Sequence, residues 1–152
     1  LITETHHGFV CANSGIDTSN IQGYEVVSLL PKNPDSSALR IRQEIKCNIN
    51  GSRVAIIISD TFGRAWREGH VNIAIGVSGI NTIKDYRGTQ DSAGKELKVT
   101  RVAVVDELAS TAELIMGKAD NVPAVIIRGY TYSKSTDGIK HLIRDRSTDL
   151  FR

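Results

Sequence analysis

Five consecutive apolar residues, Val54 to Ile58, run directly into Ser59, Asp60 and Thr61. No other feature limits the fold as strongly. A continuous apolar run of this length reads as a strand buried on both faces, so other elements must cover it. The strand then delivers a carboxylate beside a hydroxyl in what reads as the turn past its end. Gly63, Arg64, Trp66, Arg67 and Glu68 follow at once. Oxygen groups so placed suit a hard divalent cation, and paired guanidiniums suit phosphate or carboxylate.

Helix signals lie on both sides of the run. Asn33 reads as the cap of a helix that begins at Pro34, with Asp35 in its first turn. That helix runs through "SSALRIRQEIKC" and stops in "NINGS". Val102, Val105, Leu108, Ala109, Ala112, Ile115 and Met116 recur at three- and four-residue spacing, which predicts a helix with one buried apolar face, ended by Gly117. Strands are expected at Gly8 to Ala12, at Val71 to Val77 with alternating burial, and in "AVIIRG" (124–129) as a second buried strand. "DYRGTQDSAGKEL" reads as a hairpin or long loop, with "KVTRVAV" part strand. Ile139, Leu142 and Ile143 sit at helical spacing in a charged tail. Strands do not alternate strictly with helices, so the class is α+β (mixed α/β), one domain over 1–152.

Composition removes several functions. A net charge of +2 on 152 residues gives no case for nucleic acid or a membrane surface. No apolar run is long enough to span a bilayer. Cys11 and Cys47 have no CxxC spacing, so neither a zinc site nor a disulfide framework is expected, and a cytoplasmic setting is the default. The chain opens at Leu1 and runs straight into strand-like sequence, so a preceding segment is expected. His6, His7, His70 and His141 lack ligand spacing, and "GKADNVP" lacks the P-loop pattern. Asp17 and Asp60 each follow an apolar stretch, Thr61 adds an oxygen, and Asn20 can bond a base, sugar or phosphate. Plain structural roles compete with each: an Asx turn at Asp17, a strand-end turn or cap at Asp60 and Thr61, surface ion pairs at Arg64 and Arg67, and packing at Trp66.

The segments "HHGFVCANSGIDTSN", "LLPKNPDSSALRIR", "VAIIISDTFGRAWREGHVNIAIGVSGI", "DYRGTQDSAGKELKVTRVAVVDELASTAELIMGKADNVPAVIIRG" and "DLFR" together resemble the coenzyme F(420)-0:gamma-glutamyl ligases, in order over nearly the whole chain. "SDTFGR.WREG" is the most specific of them. The resemblance implies a ligase-like fold in an intertwined homodimer, with a leading segment of the family absent from this sequence. It implies GTP-dependent addition of L-glutamate to the phospholactyl side chain of F(420)-0 through an acyl phosphate, releasing GDP and phosphate. Later rounds use gamma linkages. Two divalent cations, Mg2+ or Mn2+, and K+ as a monovalent activator are implied as cofactors.

Position by position, the resemblance puts Asp17 and Asp60 on one metal and Thr61 on the second. It puts Asn20 and the loop Met116, Gly117, Lys118, Ala119, Asp120, Asn121, Val122 and Pro123 on the nucleotide. A further ligand of the second metal falls at about Lys118, whose ammonium has no lone pair to offer. Either its backbone carbonyl serves, or the match is off by one residue, or the lysine binds phosphate. Arg64 and Arg67 are candidate charge stabilisers. Two other readings stay open: a non-catalytic dimerisation or ligand-binding fragment, and a related metal-dependent ligase for another acid.

Overall fold

The computed structural model describes residues 1–18, 23, 25–50 and 53–149. Its largest feature is an antiparallel hairpin of β3 (Ile56–Arg64) and β4 (Arg67–Ser78). Two short pairs accompany it: β1 (Ile2–Glu4) with β2 (Val10–Ala12), and β5 (Lys84–Asp85) with β6 (Arg101–Val102). Helix α1 (Pro34–Asn48) and helix α2 (Val104–Met116) both pack on β4. Single 3-10 turns lie at Asn13–Gly15, Ile139–Leu142 and Arg146–Thr148. The mixture is α+β, as expected.

Local signals decide where the helices start and stop. The Asn33 side chain accepts the Ser36 amide at 2.9 Å, and Pro34 takes the first helical position, where it gives up no hydrogen bond. At the other helix Gly117 has φ 58°, a conformation costly for any residue with a Cβ. The Asp120 carboxylate also fills the place where that Cβ would stand. The stop is thus built into the loop that follows.

The core gathers Phe9, Phe62, Ile75, Ile80, Val105 and Ile139. Phe9 meets Phe62 edge to face, with ring centroids 6.1 Å apart. Gly76 lets α1 approach: a Cβ there would lie 2.5 Å from Pro34. A bulge sets the phase of β4. Ile58 pairs with Gly76 but Ser59 pairs with Ala74, leaving Ile75 unmatched. The outward amides are therefore those of Asn72 and Ala74 before the bulge and Val77 after it. Helix carboxylates accept all three: Glu113 takes Asn72 at 2.7 Å, Asp106 takes Ala74 at 2.9 Å, and Asp35 takes Val77 at 2.8 Å.

Several expectations are corrected. The strand does not end before Asp60; it runs on to Arg64, and Asp60 pairs with Ile73 inside it. Ile56, Ile57 and Ile58 are half-buried rather than buried on both faces, and among the described residues β3 pairs with β4 alone. β4 is buried almost without alternation from Ala74 to Ser78, since two helices and the bulge cover it from different directions. Residues 124–129 form no strand, and Ile126 is 78 % exposed. An apolar sequence makes a strand only where a partner completes the ladder. The covered strip of α2 is narrower than its apolar set: Val105 and Ala109 are buried and Leu108, Ala112 and Met116 half-buried, but Ile115 is 67 % exposed. Trp66 lies in the β3–β4 turn, 80 % exposed, and not in the core.

Candidate functional site

Thr61 and Asn72 face each other across the β3–β4 ladder. The Thr61 hydroxyl donates to the Asn72 Oδ1 at 2.9 Å. Helix α2 crosses behind them with Asp106, Ser110 and Glu113 at spacings of four and three, which puts all three on one helix face. Ser110 Oγ donates to the Asn72 carbonyl at 2.8 Å, and Glu113 holds the Asn72 amide. Asn72 is itself buried, so its polar atoms need these partners.

Lys118 completes the cluster from the loop after α2. Its Nζ donates to Glu113 Oε1 at 2.7 Å, to Thr61 Oγ1 at 2.5 Å and to Asn72 Oδ1 at 3.4 Å. Burial works against the charged Glu113, but hydrogen bonds from Lys118 and the Asn72 amide outweigh it and lower the carboxyl below its ordinary value.

Asp60 is next in the chain and half-buried. Burial pushes its carboxyl up. The Thr61 amide, donating at 2.8 Å, pulls it down; the negative charge of Asp17 pushes it up again, and Lys118 opposes that weakly. The balance lies above the ordinary value. Asp17 is held near by a backbone bridge to Ser28. Burial and the Asp60 charge likewise raise the Cys11 thiol. Asp106 is raised by burial, countered by the Ala74 amide it accepts.

The family model described as "F420-0:Gamma-glutamyl ligase" matches residues 1–129 of the chain. The chain belongs to the F420-0:gamma-glutamyl ligase family. Among curated relatives, it is 54 % identical to "Coenzyme F420:L-glutamate ligase" of Methanocaldococcus jannaschii over 100 % of this chain and 60 % of that protein. A protein of the same name from Methanothermobacter thermautotrophicus is 50 % identical, over 100 % of this chain and 61 % of the relative. One from Methanococcus maripaludis strain C6 is 47 % identical, with 100 % and 60 % covered. The chain thus spans about three fifths of the length of these ligase-family relatives.

The residues that the family resemblance singled out are distributed as follows. Thr61 and Lys118 are in contact, and Asp60 feels the charges of both Asp17 and Lys118. Asn20 lies outside the described residues. Arg64 folds over its own hairpin turn, donating to the carbonyls of Glu68 and Gly69. Arg67 opens β4, exposed. The loop residues Gly117 to Pro123 are exposed, and Asn121 joins Gly117 in having positive φ. Sequence reasoning missed Glu113, Ser110 and Asn72. The signal was the polar row 106, 110, 113, at spacings of four and three beside the apolar face of the helix.

For a divalent cation, Asp60 and Asp17 offer hard carboxylate oxygens, and the charge of Asp17 acts on Asp60. Among the described residues no group of three or more His, Cys, Asp and Glu gathers for a metal, so such an ion would draw further ligands from water or phosphate. A second ion at Thr61 does not fit, because the Lys118 ammonium already sits on that hydroxyl oxygen. Among the described residues no helix is long and apolar enough to cross a membrane.

Proposed function

We propose that this chain is the part of a ligase that joins L-glutamate to coenzyme F(420)-0 at the expense of GTP. The observation that carries this reading is the match along the entire chain, at 54 % identity, to a protein named coenzyme F420:L-glutamate ligase. The Asp60, Thr61 and Lys118 cluster gives it a chemical basis. A terminal carboxylate oxygen of F(420)-0 attacks the γ-phosphorus of GTP, and GDP leaves. The amine of glutamate then attacks the acyl carbon, phosphate leaves, and the amine proton passes to solvent. Both steps depend on position and charge neutralisation rather than on a protein nucleophile.

Asp60 and Asp17 are the residues that would hold a divalent cation, Mg2+ or Mn2+. Bound there, the cation supplies charge neutralisation for the phosphates. Lys118 keeps a fixed positive charge over Thr61. The loop from Met116 to Pro123, with Asn20, forms the nucleotide contact. Arg64 and Arg67 stand at the hairpin turn to balance charge at its rim. K+ is the monovalent activator, and two copies form the working dimer.

The test uses the full-length protein with GTP, L-glutamate, F(420)-0 and Mn2+, with products followed by mass spectrometry. One glutamyl increment per GDP released is expected. Asp60→Asn keeps the shape and removes the charge, so turnover should fall by at least about 100-fold, an electrostatic effect of the size seen for a lost charge-stabilising group. Undiminished turnover of that variant at saturating Mn2+ would remove Asp60 from the metal. No glutamylated product with wild type would remove the reading altogether.

A further inference from the structure

We propose that the Lys118 ammonium takes the place of a second cation, so that this site binds one divalent ion rather than two. The inference rests on the ligase reading and refines its cofactor requirement. An ammonium has three protons to give and no lone pair. Lys118 finds three oxygens: Glu113 Oε1 at 2.7 Å, Thr61 Oγ1 at 2.5 Å and Asn72 Oδ1 at 3.4 Å. That is the coordination of a small cation in an oxygen cage, with the cation tethered to the chain.

The cage has little left for a metal. Thr61 spends its proton on Asn72 Oδ1 and a lone pair on Lys118. Asn72 Oδ1 receives both Thr61 and Lys118. Glu113 gives one oxygen to Lys118 and the other to the Asn72 amide. A divalent ion entering here must expel the ammonium or accept its repulsion at contact distance. Lys118 is also tied in place. It follows Gly117, whose turn admits no Cβ, and its carboxylate partner sits one helical turn back on α2. The positive charge over Thr61 is therefore supplied by the chain itself.

The experiment counts Mn2+ bound per chain by electron paramagnetic resonance, on the full-length protein with a non-hydrolysable GTP analogue. Wild type should bind one. Lys118→Gln replaces the charge by a neutral oxygen donor one bond shorter and should bind two. Lys118→Arg keeps the charge and should stay at one. The Lys118 side chain is 56 % exposed, so both variants should fold, which a melt checks. Two ions in wild type, one in Lys118→Gln, or two in Lys118→Arg would each overturn this inference and leave the ligase reading standing. No bound Mn2+ in wild type would overturn both.

Discussion

Asp35 ties three parts of the chain together through one carboxylate, and removing it should loosen all three. Its Oδ1 accepts the Val77 amide at 2.8 Å, and the Ile139 amide is shared between Oδ1 at 3.2 Å and Oδ2 at 3.1 Å. Val77 and Ile139 are both buried, so their amides have no ready access to water. A hydrogen bond to a charged group contributes about 1.5–3 kcal/mol, and an orphaned buried donor costs its full desolvation. Loss of a negative charge in the first turn of α1 adds about 0.3–1 kcal/mol. Asp35→Ala should therefore cost roughly 3–5 kcal/mol, measured by urea denaturation followed by circular dichroism. Asp35→Asn keeps one acceptor oxygen and should cost about 1–2 kcal/mol. A loss under about 1 kcal/mol for Asp35→Ala would refute the reasoning, because it would mean that water satisfies both amides in the folded state.

Two further outcomes are expected. Leu108→Ala should cost about 1–2.5 kcal/mol, at the low end for a core leucine because the side chain is half-buried, whereas Ile115→Ala should stay within about 0.5 kcal/mol in the same melts. Hydrogen bonds from the Arg87 side chain and amide hold the Asp85 carboxyl at about 2. Its folded value is depressed, so its contribution is present above 3.8 and lost as pH falls from there toward 2; carboxyl NMR should find a midpoint near 2, returning toward 3.8 in Arg87→Ala.

What could be read from the sequence was what the chain decides locally. The cap at Asn33, the start at Pro34 and the stop at Gly117 depend on residues a few positions apart, and each holds in the structure. Strand limits depend on distant partners. Nothing near Ile126 says that no ladder waits for it, and nothing near Asp60 says that Ile73 does. The candidate site divides the same way. Asp60, Thr61 and Lys118 stand out by chemistry and resemblance. Glu113 and Asn72 acquire meaning only when α2 is laid across the hairpin, which brings together residues 41 positions apart. The exposed Ile115 shows the converse: helical periodicity says which face is apolar, but not how wide a strip of it is covered, since Met116 beyond it is half-buried.

The three carboxylates along β4 have a consequence for how this molecule meets others. A sheet grows by offering free amides and carbonyls to a newcomer, and proteins that avoid runaway pairing must blunt such borders. Here Glu113, Asp106 and Asp35 terminate the ladder from Asn72 to Val77 and line the border with negative charge. A neighbouring chain cannot add a strand there without displacing acids anchored in two helices. Strand addition between copies of this chain is therefore opposed along this border.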